Sequence, residues 1–545
     1  MALSPKLSVK KKAALVLLII SLMAPCILKI QPGKAAPKTI TVPDDYPTIT
    51  AAIGNATDGD IIIVRKGTYE EKTLEINKTL SLIGEDAEST KINLDPPTFQ
   101  VIGENIFTRE PEISTLWNNS ISIDADSVTI SGFAIVTPGG DVSIKGDRTQ
   151  IVGNNIKTAV VASGSYSKIE RNILTGLLVS GSYSNIAKNT FSKTATVRGS
   201  YCRISGNDGF SIWVSGSYCD ISANRITGSS TSAGIYVEGS FCLVNGNNVT
   251  NAPYGTFRVG GNNNIVCRNL VDNLAFGLAV GGSNNTVYAN RVTNSGEGLC
   301  PRAGNTYYAN YVANNGWGVD TGDTELNPFG NTSTLYHNNF ISNAYQVCTI
   351  LKYETDYFDN GKEGNYWSDY TGTDADGDGI GDTPYVIDDN RQDRYPLMAP
   401  FDIDSVTVEL PEWASPPSVH LINPKNTSYT SANIALEFTV NKQTSWMGYS
   451  LDGQDNVTVT GNTTLPKLSY GSHNVTVYAT DMVGRNGASE TVYFSIEAPF
   501  PTTFVVAVAI IACVFGFGLI LNLVKAKRKS NNRQSNQKPS RGRLV

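Results

Sequence analysis

The chain has 545 residues, with 43 Lys+Arg against 49 Asp+Glu and a net charge of −6, a length that calls for several domains. Six basic residues lie in 1–36 and eight in 525–545, with no acid in either segment, which leaves 29 basic against 49 acidic side chains and about −20 on the stretch between. Such a body repels a phosphate backbone, which excludes nucleic acid as a partner, and it suits cations.

Lys6, Lys10, Lys11 and Lys12 precede the apolar run AALVLLIISLMA, residues 13–24. A basic stretch before a short apolar one has the pattern of a secretory signal, read here as 1–36 with Ala35-Ala36 as the small-residue pair; the alternative is a retained N-terminal anchor. Ten Asn-x-Ser/Thr sequons follow, at Asn55, Asn77, Asn118, Asn248, Asn284, Asn331, Asn426, Asn456, Asn462 and Asn474. They are permissive glycosylation sites on an exported chain.

A repeat fills the middle of the chain. GSYCRISGN at Gly199 returns as GSYCDISAN at Gly216. With each Gly as position zero, position five is apolar and position eight is Asn in frames starting at Gly146, Gly164, Gly181, Gly199, Gly216, Gly239, Gly261, Gly282 and Gly330, and at Arg302 without the glycine. The position-eight residues are Asn154, Asn172, Asn189, Asn207, Asn224, Asn247, Asn269, Asn290, Asn310 and Asn338. Spacings of 17 to 28 residues are too short for helical-pair repeats or propeller blades. Short β-rich words of this period predict a parallel β-helix, one coil per repeat, with apolar side chains alternating inward. The Asn column predicts an amide ladder, with Asn also tolerating a left-handed corner. Cys202, Cys219 and Cys242 fall at position three, with the inward parity of position five, where earlier coils hold Ser167 and Ser184. They read as buried thiols or, alternatively, as a disulfide pair. Tyr166, Tyr183, Tyr201, Tyr218 and Phe241 at position two predict an aromatic column on the outside.

The stretch TITVPDDYPTITAAIGNATDGDIIIVRKGTYEEKTLEINKTLSLIGED, residues 39–86, resembles the start of pectin-lyase-like right-handed β-helices. The later coils, and the closing segment GNYWSDYTGTDADGDGIGDTPYVIDDNRQDRYPL at 364–397, resemble the NosD-type β-helix family. The resemblance covers residues 39–401. It implies a right-handed parallel β-helix over 37–402, with a capping helix near 46–57 in the N-terminal cap of 39–86 and coils over about 120–350. It implies little about activity, since this fold carries lyases, hydrolases, adhesins and stalks. The role it implies, copper-site maturation of nitrous oxide reductase, would rest on a sparse ligand set of His337, His420, His473 and five methionines.

The longest interval between ladder positions, 313–330, holds Asp320, Asp323 and Glu325. These are the candidate catalytic acids, with Trp317, Arg302 and Glu297 as candidate ligand contacts. Paired carboxylates beside a stacking Trp suit glycosidic hydrolysis, and Ca²⁺ with an Arg base suits lyase chemistry. DADGDGIGD, residues 374–382, has the alternation of a calcium loop. Asp374, Asp376 and Asp378 are the carboxylate ligands, Ile380 gives its carbonyl, and Asp382 stands at the ninth position. Position twelve is Tyr385 in place of the bidentate Glu, with Asp388 or Asp389 as substitutes, so the ion expected is a structural Ca²⁺.

Pro411, Pro416 and Pro417 mark a linker over 403–417. Residues 418–497 alternate in short strands without cysteine, the rhythm of an Ig-like or fibronectin-like β-sandwich. FVVAVAIIACVFGFGLILNLV, 504–524, is long enough to span a bilayer, and the basic tail 525–545 places itself in the cytoplasm with the rest outside. The PFPTTFVV before the span resembles the C-terminal anchors of archaeal surface proteins. The expected function is a single-pass cell-surface β-helix protein that binds carbohydrate, or another surface ligand such as a protein, without catalysis. The alternatives are a polysaccharide lyase or glycoside hydrolase, and a structural or adhesive stalk.

Overall fold

The computed structural model describes residues 36–94, 99–104, 111–115, 121–137, 140–228, 233–301, 304–321, 332–348, 356–407, 409–498 and 502–534. The chain divides into two compact units, Met1–Ser415 and Pro416–Val545.

The first unit is a right-handed parallel β-helix. A 14-stranded sheet runs coil by coil from Thr39–Val42 to Thr334–Tyr336, and a 21-stranded sheet covers the other sides. The inward position-five residues stack in register as Ile151, Ile169, Ile186, Ile204, Ile221, Val244, Val266, Val287, Tyr307 and Leu335. All ten are fully buried. The seven-residue helix α1 (Ile49–Asn55) closes the N-terminal end, with Ile49, Ala52 and Ile53 turned into the core. Both of its ends are satisfied electrostatically. The Ile49 N–H donates to Glu71 Oε1 at 2.6 Å. Lys78 Nζ donates to the carbonyls of Ile53, Gly54 and Ala56 at 3.1, 2.8 and 2.8 Å.

The repeated glycine is explained by close approach of the coils. A Cβ on Gly164, Gly181, Gly199, Gly216, Gly239 or Gly261 would overlap the carbonyl oxygen of the glycine one coil earlier. The left-handed corners are elsewhere. Positive φ falls at position two, as at Tyr183 (56°) and Tyr201 (57°), and at position seven, as at Lys188 (56°) and Ala223 (53°). The ladder asparagines therefore do not supply the left-handed backbone expected of them. They follow it, which turns each carboxamide into the rod.

There the amides form a continuous ladder. Asn207 Oδ1 accepts both the N–H and Nδ2 of Asn189, at 2.9 and 3.0 Å. Asn207 Nδ2 donates to the Ile186 carbonyl and to Asn224 Oδ1, both at 2.9 Å. The same bonds recur from Asn154 to Asn338 and continue past the ten repeat frames. The Asn338 N–H donates to Asn365 Oδ1 at 3.1 Å, and the Asn365 N–H to Asp393 Oδ2 at 2.7 Å. Asp393, fully buried, also accepts from Trp367 Nε1 at 2.9 Å. Burial pushes its carboxyl up to about 6.

Cys202, Cys219 and Cys242 are unpaired buried thiols. Each donates to the glycine carbonyl of the preceding coil, at 3.4 to 3.5 Å. Above them Ser167 and Ser184 donate to the glycines that open their own frames, and below them Asn264, Asn285 and Asn305 continue the column, each Oδ1 accepting the backbone N–H of the residue one coil earlier. The cysteine is thus a small buried filler. The outer aromatic column is present, with successive ring centroids from Tyr166 to Phe241 at 5.2, 5.0, 4.8 and 5.0 Å.

Residues 401–407 and 409–415, in a stretch whose composition reads as linker, climb back over the outside of the rod as a strap. Phe401 and Asn339 exchange two hydrogen bonds of 2.8 Å. Asp404 pairs with Arg291 at 2.8 Å, the Val406 carbonyl accepts from Arg268 at 2.9 Å, and Trp413 meets Tyr218 edge-on at 6.1 Å. The second unit holds a small antiparallel β-sandwich, cored by Leu436, Val475, Val477 and Ala479, and helix α2 (Thr502–Gln534). The apolar window of α2, Val506–Lys529, is long enough to cross a membrane and is a candidate anchor.

Two outcomes are expected. Asn207→Ala strands the two buried donors of Asn189 and should cost about 3 kcal/mol in denaturant unfolding, whereas Ser200→Ala on the half-exposed rim costs under about 1 kcal/mol. Because the folded carboxyl of Asp393 titrates above its unfolded value, the native state binds the extra proton between about pH 4 and 6, and stability from this group falls as pH rises through that window. Asp393→Asn should therefore melt above the native chain at pH 7, with the gap closing as the pH approaches 4.

Candidate functional site

The alternation that turns position-five side chains inward turns others outward. Two columns on the outer face of the 21-stranded sheet concentrate large side chains. In the first, Trp213, Tyr236, Arg258, Ala279 and Cys300 stand in register on successive coils. In the second, Thr256, Phe276, Glu297, Trp317 and Tyr345 do the same. Trp213, Phe276 and Tyr345 are 43%, 50% and 66% exposed. Trp213 and Tyr236 have ring centroids 5.8 Å apart, tilted by 30°. Burial raises the Tyr236 phenol above its ordinary value. Among the described residues, Arg258 has no carboxylate partner and stands exposed one coil below Tyr236. The corner column from Tyr166 to Phe241 differs in kind. Its rings lie 4° to 13° from parallel and stack face to face, so their faces are consumed by one another. Between these two sets of rod aromatics, the sheet-face rings are the ones that can offer a face to a ligand.

Glu297 and Trp317, expected as ligand contacts, come together as neighbours in the second column. The Cys300 thiol donates to Glu297 Oε2 at 3.1 Å. Asp320 follows Val319, the partner of Leu299, and is 8% exposed, with its N–H donating to the Leu299 carbonyl at 2.8 Å. Arg302, Asp323 and Glu325 lie outside the described residues. Trp213, Tyr236, Arg258, Phe276 and Tyr345 were not singled out from the sequence. A signal was available for the first three, which sit between inward residues in Ile212-Trp213-Val214, Ile235-Tyr236-Val237 and Phe257-Arg258-Val259, three positions before a repeat glycine.

The acidic loop closes the C-terminal end of the rod. Carboxylate oxygens of Asp374, Asp376 and Asp378 lie within 4.8 Å of one another. Asp374 accepts the N–H groups of Gly377 at 2.7 Å and Gly379 at 2.9 Å. The Gly379 bond leads the effects that hold its carboxyl below the usual range. Gly377 and Gly379 have φ of 77° and 88°, which brings the chain round on itself. Asp382 Oδ2 accepts the Ala375 N–H at 2.8 Å, which ties the ninth position to the start of the loop. Hard oxygens converging in a glycine-hinged turn fit Ca²⁺. At position twelve, Tyr385 stacks on Trp367 at 4.4 Å and its hydroxyl donates to Asp369 Oδ2 at 3.2 Å, and Asp388 is engaged by Arg391 at 2.7 Å.

Residues 117–372 match the family described as "Periplasmic copper-binding protein (NosD)". Over 80 residues, 14% of this chain, the sequence is 41% identical to a protein of Pseudomonas aeruginosa named "Probable ABC transporter binding protein NosD", of which 18% is covered. Over 100 residues, 17% of this chain, it is 35% identical to halomucin of Haloquadratum walsbyi, of which 1% is covered. The chain thus spans a small part of the curated relatives it matches. Among solved structures, the polysaccharide lyase Pedsa3628 of Pseudopedobacter saltans aligns over 60% of this chain and 94% of its own, at 15% identity and a TM-score of 0.32. The rod formed by this chain is a right-handed parallel β-helix of the NosD type.

Proposed function

We propose that this is a membrane-anchored surface protein whose NosD-type β-helix binds carbohydrate, or another surface ligand, on its outward aromatic face without turning it over. One observation carries the reading: Trp213, Tyr236, Phe276, Trp317 and Tyr345 share one outer face, with ring faces not stacked into the corner column. Aromatic faces over a flat sheet suit the apolar face of a sugar ring, and coils about 4.8 Å apart present one side chain per step along a linear chain. In this reading α2 is the anchor, the basic residues from Lys525 face the cytoplasm, and the rod and an Ig-like sandwich face outside. Asp374, Asp376, Asp378, Ile380 and Asp382 hold a structural Ca²⁺ that pins the last coil.

A glycan array on the full chain in detergent, scored for binding and for product together, tests the reading. Glycans should be retained without release of reducing ends or unsaturated products. Trp213→Ala should weaken retention by roughly fivefold, since one lost aromatic contact is worth about 1 kcal/mol. Product release would replace this reading with a lyase or hydrolase, and silence in both channels with a stalk. For the ion, Ca²⁺ at a hundredfold excess over its Kd should stabilise the rod by about 2.7 kcal/mol, and Asp374→Ala with Asp378→Ala should abolish the response in a thermal melt.

A further inference from the structure

We infer that the β-sandwich of the second unit carries a separate binding face for a neutral glycan, centred on Trp446. The strands Thr444–Leu451 and Gly471–Asp481 pair antiparallel, with Met447 opposite Ala479 and Tyr449 opposite Val477 on the inward side. The outward positions are then Trp446, Ser450, Thr476, Tyr478 and Thr480, none of them charged.

Gly448 lies between Trp446 and Ser450 on this face, opposite Tyr478. A Cβ on Gly448 would overlap Cζ2 and Cη2 of the Trp446 indole, so the ring lies flat over the glycine. The indole Nε1 donates to Thr458 Oγ1 at 3.0 Å on the neighbouring strand. That bond fixes the direction of the ring, and the missing side chain at 448 gives it a seat. Burying Trp446 in the core would have served stability better; the strand instead turns it outward and spends a glycine to level it against the sheet. Tyr478, on the strand alongside, extends the aromatic surface, and Thr476 and Thr480 flank it, their hydroxyls held at 2.8 Å against Thr491 Oγ1 and Asn486 Oδ1 with acceptor capacity left on each oxygen.

A flat, oriented aromatic ring bordered by hydroxyls matches a pyranose, with its C–H face on the ring and its rim of hydroxyls hydrogen-bonded at the sides. The absence of charge on these outward positions, in a chain with an acidic body, selects a neutral sugar over an anionic one. The occupant is an external neutral polysaccharide. This inference does not rest on the β-helix site, because none of its residues belongs to the first unit.

The test uses the full chain in nanodiscs against soluble neutral probes (a glucan, a mannan and a galactan) in affinity electrophoresis. At least one probe should retard the native chain. Trp446→Ala should weaken that retardation at least tenfold, and Gly448→Ala, which lifts the ring, by a similar factor. Trp213→Ala on the rod should leave this component intact, which separates failure here from failure of the rod site. Thermal melts of the variants confirm that the sandwich is folded, and Trp446→Ala, at a half-buried outward position, is the variant that keeps the test decisive if Gly448→Ala does not fold. The inference is overturned if no neutral probe retards the native chain, or if folded Trp446→Ala binds as the native chain does. It is also overturned if retardation emerges only in Asn474→Gln, which would make the occupant the chain's own N-linked sugar.

Discussion

The rod depends on one bidentate arrangement repeated along its length: a carboxamide oxygen that takes two N–H groups from the coil above, and a carboxamide nitrogen that returns a bond to a backbone carbonyl. At Asn207 these bonds measure 2.9 to 3.0 Å. Buried in an apolar core, such bonds are strong, and an incomplete set is costly. Each amide therefore dictates the position of the next. The inward isoleucines, the outward tyrosines and the sheet-face aromatics take their registers from this column. At its end the ladder meets Asp393, a buried carboxylate that accepts from Asn365 and Trp367 and closes the series with a group that has no N–H of its own to pass on.

Much of this was legible because period-bearing residues announce themselves. Asparagine recurs at position eight over ten frames, and Ile or Val at position five over most of them. The last two rungs were hidden because Lys362 and Asn390 stand where the repeat has its apolar position-five residue, and because one of them is Asp. The assignment of the left-handed corner failed by one residue. Gly153, Gly206 and Gly246 mark the corner in three frames, but Arg171, Lys188 and Ala223 hold positive φ there without being favoured for it, which blurred the sign. The strap was invisible because its partners are remote. Arg291 meets Asp404 across 113 positions and Arg268 meets Val406 across 138, and no local pattern encodes such contacts.

The candidate site was partly legible. Trp317 and Glu297 were found from an acidic interval, and the structure brings them into one column. Trp213, Tyr236 and Arg258 escaped because each occurs once, in a different coil, within an ordinary apolar-polar alternation. Stacking the coils is what makes a surface of them. The converse holds for the tyrosines of the repeat, which stand out in the sequence yet spend their ring faces on each other. Repetition in a solenoid marks scaffold, and the irregular residues on the same framework mark candidates for recognition.

The strap changes how the rod must come apart. A stack in which every coil touches only its neighbours frays from an end, one turn at a time, and its halves melt independently. Here the segment that leaves the last coil is fastened at Asn339, Arg291, Arg268 and Tyr218. Peeling the bottom turn pulls on turns well above it. The lower half is thereby converted from a chain of weakly linked rings into a splinted column that yields all at once, so mechanical load applied at its C-terminal edge meets one large barrier in place of many small ones.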